Sequence, residues 1–191
     1  MKKKNKCFLI IGSCLLGAAM IILISWQWNI RNSELKTEHY VETLYNLMPV
    51  PQGAVVGERN DNRMPILSVD GIDFVGVLEV PCYGSILPVC AKWGRLTKYP
   101  CRFGGSIYDG TMQIGATNQK GQYDFYREIT VGDNILFTDV EGNRYAYVVT
   151  NLRYEKHADQ ATLEFEESAL TLFIKNVYDT EYQIVSCDVA Y

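Results

Sequence analysis

Between Cys7 and Ile30 no side chain carries a charge, and within that run Phe8 to Trp28 supplies 21 residues. At a helical rise of about 1.5 Å per residue, such a segment crosses the roughly 30 Å hydrocarbon layer of a bilayer. In that layer only a helix or a closed barrel satisfies its own backbone polar groups. The expectation is a single membrane-spanning helix at 8–28. A cleaved signal peptide shares the basic start and small residues such as Gly17-Ala18-Ala19. Against cleavage, the apolar run continues through Ile21-Ile22-Leu23-Ile24 and ends in Trp26 and Trp28, aromatic residues suited to a membrane interface. Lys2, Lys3, Lys4 and Lys6 precede the run, and only Arg31 and Lys36 follow it closely. That asymmetry favours a short basic cytoplasmic tail at 1–7, a plasma-membrane anchor and an exported C-terminal region.

The formal net charge of −4 joins two unlike parts. With the four leading lysines set aside, 14 basic residues face 22 acidic ones, which leaves −8 on the remainder. An acidic domain repels polyanions, so nucleic acid is not an expected partner.

Six cysteines divide by compartment. Cys7 and Cys14 belong to the anchor, and Cys82, Cys90, Cys101 and Cys187 face the exterior, where three complete pairings are open. There is no CxxC spacing, and His39 and His157 are the only imidazoles. No metal site and no cofactor are expected.

Beyond the anchor, Leu35, Tyr40, Val41, Leu44 and Leu47/Met48 recur at helical spacing. The stretch from Pro49 to Arg63 is rich in Pro, Gly and polar residues. Residues 29–64 therefore read as a helical stem and linker, with a folded domain at 65–191. Its pattern is one of short apolar runs. Ile66–Val69 and Ile72–Val75 flank Asp70-Gly71, a signature of a tight hairpin. Further runs are Val77–Val80, Ile86–Cys90, Met112–Gly115, Asn134–Thr138, Arg144–Thr150, Ala169–Ile174 and Tyr182–Val189, with a second hairpin around Glu141-Gly142-Asn143. Tyr123, Tyr126 and Ile129 fit one short helical turn. The fold class is mainly β, a closed or nearly closed barrel with one or two short helices. Phosphate loops, GxSxG elbows, HExxH helices and calcium loops are not found.

The order of these blocks carries a resemblance. Val75-Gly76-Val77-Leu78-Glu79-Val80-Pro81 followed by Leu87-Pro88-Val89, then Pro100–Ser106, then Gln113-Ile114-Gly115-Ala116 with Tyr126, Ile129 and Gly132-Asp133 behind it, then Leu170-Thr171-Leu172-Phe173, resembles the sortases. Those are membrane-anchored cysteine transpeptidases of Gram-positive bacteria. The resemblance spans Val75 to Val189 and implies a sortase-type eight-stranded β-barrel on the outer side of the plasma membrane. It also implies a chemistry. A sortase cysteine attacks the Thr-Gly carbonyl of an LPXTG-like sorting signal, a histidine protonates the departing amine, and an arginine stabilises the substrate and oxyanion.

None of the three matches. The run aligned with the family's TLxTC is Thr171-Leu172-Phe173-Ile174-Lys175, which puts Lys175 at the nucleophile. The histidine position falls on Ala116, or on Thr117 if the spacing to Gly132-Asp133 shifts it by one. The arginine position falls on Tyr182, beside Gln183. A lysine that attacked a carbonyl would form a stable amide, and losing the nucleophile removes most turnover whatever else remains. His157 and Cys187 are the rescue candidates, with Arg102 expected to be structural.

Three functional expectations follow. The first is a catalytically inactive pseudosortase that binds a sorting-signal peptide, a surface-protein or pilin subunit, or a partner sortase. A second is an active sortase-like transpeptidase using displaced residues. The third is a non-functional, decaying duplicate.

Overall fold

The computed structural model describes residues 2–53, 56, 61–94, 98–156, 168–177 and 180–190, with side chains from residue 12 onward. One helix, α1 (Lys2–Leu47), opens the chain. Anchor and stem, expected as separate elements, are a single continuous helix, because no proline or glycine interrupts the sequence between Trp28 and Leu47. It stops at Pro49 and Pro51, whose rings cannot continue an α-helix. Its N-terminal half is long and apolar enough to cross a membrane. There Leu16, Ile21, Ile24 and Trp28 point away from the protein.

The last turns of α1 have a different apolar partner. Tyr40, Leu44 and Met48 recur at i, i+4 and i+8 and pack on Val69, Ile72, Phe74, Val77 and Tyr99. A polar contact fixes the rotation of the helix: the Tyr45 hydroxyl donates to Glu79 Oε1 at 2.8 Å, and Arg144 Nη2 holds both carboxylate oxygens at 2.6 Å. Burial, followed by the bond to Glu79, pushes the Tyr45 phenol up, so it stays a donor across the working pH range.

The strands are β1 (Gln52–Gly53), β2 (Leu67–Val69), β3 (Ile72–Val80), β4 (Ser85–Cys90), β5 (Cys101–Gly104), β6 (Met112–Thr117), β7 (Asn134–Asp139), β8 (Asn143–Glu155), β9 (Leu170–Lys175) and β10 (Tyr182–Val189). Hydrogen bonding runs β3-β4-β5-β6-β9-β10-β8, and β7 pairs with both β8 and β3. The circuit therefore closes into an eight-stranded barrel. Its β4–β5 and β6–β9 pairs are parallel and the others antiparallel. The enclosed core includes Leu78, Ile114, Tyr123, Phe137, Tyr147 and Leu172.

Both expected hairpins form. Asp70 and Gly71 take φ of 51° and 72°, the paired positive values of a type I′ turn, which matches the twist of the flanking strands. At the other, Asp139 accepts from the backbone N–H groups of Glu141 and Asn143 and from the Tyr108 hydroxyl, each at 2.9 Å.

Three details differ from the sequence reading. The runs at 72–75 and 77–80 are one strand with a register shift between Phe74 and Gly76. Cys101–Gly104, read only as part of the Pro100–Ser106 block of the resemblance, is a strand. Part of the expected linker is β1, which pairs with the start of β8. The short helical turn expected around Tyr126 does form, as a single 3-10 turn at Asp124–Arg127 with Phe125 buried beneath it.

Candidate functional site

Register brings most of the nominated positions to one end of three adjacent strands. Lys175, the last residue of β9, is opposite Thr117 on β6 and opposite Tyr182 on β10. Tyr182 is in turn opposite Glu155 on β8. Thr117, Lys175, Tyr182 and Glu155 thus form one row across the outer face of the barrel. Directly opposite residues share a face, because side chains alternate along each strand.

Ala116 is elsewhere. It pairs with Ile174, and both are in the barrel core. Of the two positions nominated for the histidine, Thr117 shares the face of Lys175 and Ala116 turns inward. Gln183 is also on the inner face, where its Nε2 donates to the Tyr154 hydroxyl at 3.2 Å.

The chemistry of the outer row is quiet. Lys175 is exposed and Tyr182 is half-buried. The Thr117 hydroxyl and backbone N–H both donate to Gln122 Oε1 at 2.9 Å, so the hydroxyl is already engaged. Beside it Asn118 Nδ2 donates to Asn176 Oδ1 at 2.9 Å, and Val177 N–H donates to Asn118 Oδ1 at 3.0 Å. This clasp fixes the chain on both sides of Lys175, and nothing in a one-dimensional pattern pointed to it.

The next row along the same face is apolar. Gly115, Phe173 and Ile184 lie opposite one another, and Arg153 follows on β8. Phe173 packs against Trp93 and Phe103 with ring centroids 5.3 Å apart in both pairs, and Trp93 meets Phe103 at 4.9 Å. Gly115 makes room for these rings. A Cβ there would stand 2.3 Å from Phe173 and 2.6 Å from Trp93. Trp93 is 43% exposed and is the outermost layer of this aromatic floor. Arg153, opposite Ile184 at the β8 end of this row, has its Nε 3.5 Å from Glu155 Oε1.

Cys187 is on the inner face, five residues along β10 from Tyr182, opposite Leu170 and Val149. Its Sγ is 4.0 Å from the Val185 carbonyl, and burial, followed by Asp188, pushes the thiol up. A thiolate is disfavoured there. His157 lies outside the described residues. Arg102 donates through Nε to the Gly105 carbonyl at 2.7 Å, a loop-bracing contact. Among the described residues, no three His, Cys, Asp or Glu side chains converge as metal ligands would.

Comparison with known proteins agrees with this architecture. No family model and no curated protein matches the sequence. Solved structures do match. Sortase A of Listeria monocytogenes superposes with a TM-score of 0.53 at 19% identity over 62% of this chain and 88% of that one. Sortase C1 from Streptococcus suis gives 0.51 at 17% over 62% and 73%. Sortase C from Clostridium perfringens gives 0.50 at 17% over 85% and 88%. At these identities the likeness is one of fold. The closed eight-stranded circuit, its two parallel seams and the N-terminal apolar helix together make this chain a sortase-fold protein.

Proposed function

We propose that this is a membrane-anchored sortase-fold protein that binds an extended peptide on the outer face of β6, β9 and β10 and transfers nothing. The observation that carries the reading is the row Thr117–Lys175–Tyr182, which supplies no thiol, no imidazole and no guanidinium at the end of the strands where the resemblance would put them. Acyl transfer needs a nucleophile that is also a good leaving group. An amide formed on Lys175 Nζ would be too stable to pass its acyl group on.

Binding asks for less. Trp93 offers an apolar surface on the floor, and Lys175, Tyr182 and the Arg153–Glu155 pair supply polar groups at its edge. The ligand class this face suits is a sorting-signal peptide of LPXTG type, a surface-protein or pilin subunit that carries one, or a partner sortase. The anchor α1 would hold the barrel outside the cell with the N-terminus in the cytoplasm.

The test uses the full chain in detergent micelles with a fluorescent LPXTG-type peptide and an amine acceptor. Saturable binding without cleavage or transfer is expected. Product formation abolished by Cys187→Ala or His157→Ala overturns the reading in favour of a transpeptidase with displaced residues. Absence of any binding leaves the decaying duplicate. The triple substitution Thr117→His, Lys175→Cys and Tyr182→Arg is expected to form a hydroxylamine-sensitive acyl adduct, with Ala116→His as the inward-facing control that does not.

A further inference from the structure

The barrel is closed unevenly. Strands β10 and β8 share eight register pairs and β6 and β9 share six, whereas β4 and β5 are joined by one, Cys90 with Cys101. The backbone adds one bond there, from Cys90 N–H to the Pro100 carbonyl at 2.8 Å. The thinnest seam of the barrel is therefore spanned by two cysteines directly opposite each other.

Both point the same way. Cys90 and Cys101 belong to one cluster with Phe74, Val77 and Leu44 under the stem end of α1, and both are buried. Neighbouring strands lie about 4.8 Å apart, inside the roughly 4.4–6.8 Å range of Cα separations that a disulfide bridges. The other two cysteines of the domain are not competitors. Cys82 sits in the 3-10 turn Pro81–Tyr83 at the opposite end of β4, exposed, and Cys187 faces the barrel interior.

We infer that Cys90 and Cys101 are a redox site that oxidises to a cross-strand disulfide sealing the β4–β5 seam. The two thiols lose two electrons and two protons as the S–S bond forms. A disulfide, either of a small thiol or of an exported oxidoreductase, takes them up and is reduced to two thiols. The bond ties down the chain just before Trp93, which stands three residues beyond Cys90 and whose ring reaches the aromatic floor over Gly115. Oxidation thus fixes the floor of the candidate site, and reduction leaves Trp93 held only by its packing. This inference stands on strand register and does not depend on what the face binds.

The test is peptide mapping of the full chain, extracted in detergent, equilibrated with reduced and oxidised glutathione, and only then blocked at its free thiols with N-ethylmaleimide. Trypsin releases 64–92, which holds Cys82 and Cys90, and 99–102, which holds Cys101. The expected product is these two peptides joined, two hydrogens lighter than the sum of 99–102 and of 64–92 carrying one maleimide on Cys82. The joined product survives in Cys82→Ser and separates on reduction. Maleimide on Cys101 after that equilibration, or Cys101 linked to Cys82 or Cys187, overturns the inference. Thermal unfolding of the Cys82→Ser chain gives a second readout that leaves the pair intact. Reductant is expected to lower its Tm by about 5–10 °C, as removing a crosslink over a loop of this length does. A Tm indifferent to reductant overturns the inference as well.

Discussion

The two faces of the β6–β9–β10 ribbon come from the same twenty residues of strand yet obey different constraints. On the inner face Ile114, Ala116, Leu172, Ile174, Val185 and Cys187 interlock with the rest of the barrel core. On the outer face the row Gly115–Phe173–Ile184 is covered by side chains that arrive from outside the ribbon, Trp93 and Phe103, and the row Thr117–Lys175–Tyr182 ends in an exposed amine. The inner face needs only apolar volume, which many sequences provide. The outer face needs particular groups for chemistry, and substitution there leaves the barrel standing. A chain can therefore keep this fold while its outer row changes completely, so fold likeness says little about activity.

That contrast has a measurable form. Leu172→Ala on the inner face should cost about 2–5 kcal/mol, because it opens a cavity the surrounding barrel cannot collapse to fill. Urea unfolding of the full chain in micelles reads the loss as a lower midpoint at unchanged slope. A cost below about 1 kcal/mol would mean that the inner face is loosely packed and the contrast is wrong. Gly115→Ala, one residue away and facing out, should cost about 1–3 kcal/mol, since its Cβ would meet the Phe173 and Trp93 rings. Adding Phe173→Leu should recover part of that loss. A double-mutant cycle with no coupling would show that the rings do not depend on the missing Cβ.

Much of the frame was legible because it rests on local chemistry. The uncharged run gave the long apolar helix, Asp70-Gly71 and Glu141-Gly142-Asn143 gave the hairpins, and β-rich runs located β3, β4, β6, β7, β9 and β10. Strand β5 was harder to see, since Cys-Arg-Phe-Gly has no alternation long enough to count and is held in place by its neighbours on either side. Which face a residue occupies was the decisive loss. Slipping by one residue exchanges Ala116 for Thr117 and so exchanges core for surface, and only the pairing with β9 settles which of them stands beside Lys175. The arrival of Trp93 at Gly115 and the meeting of Cys90 with Cys101 join positions far apart in sequence or separated by a loop, and no periodicity encodes either.

Smaller effects sharpen the distinction within the outer face. Thr117→Val removes one of two bonds to Gln122 Oε1 and leaves the backbone N–H still donating to it. The expected cost is about 0.5–1.5 kcal/mol, the net worth of one neutral hydrogen bond. A larger loss would place Thr117 with the structural residues and leave only Lys175 and Tyr182 to define the row.

Lys175→Ala should matter least to the fold and most to the proposed site. The side chain is exposed at a strand end, and surface substitutions of this kind usually fall within about 0.5 kcal/mol of neutral. Its strand position is secured independently by the Asn118 clasp with Asn176 and Val177 and by the backbone bond from Asn118 N–H to the Lys175 carbonyl at 3.1 Å. Neither contact uses the amine. Unchanged unfolding together with weakened peptide binding is the expected pair of results, with Lys175→Arg restoring binding through the retained charge. A destabilisation above about 1 kcal/mol would instead make Lys175 a structural residue. The outer row would then keep only Tyr182 to recognise a ligand, and the division between a face that folds the barrel and a face that serves it would fail at the residue chosen to represent it.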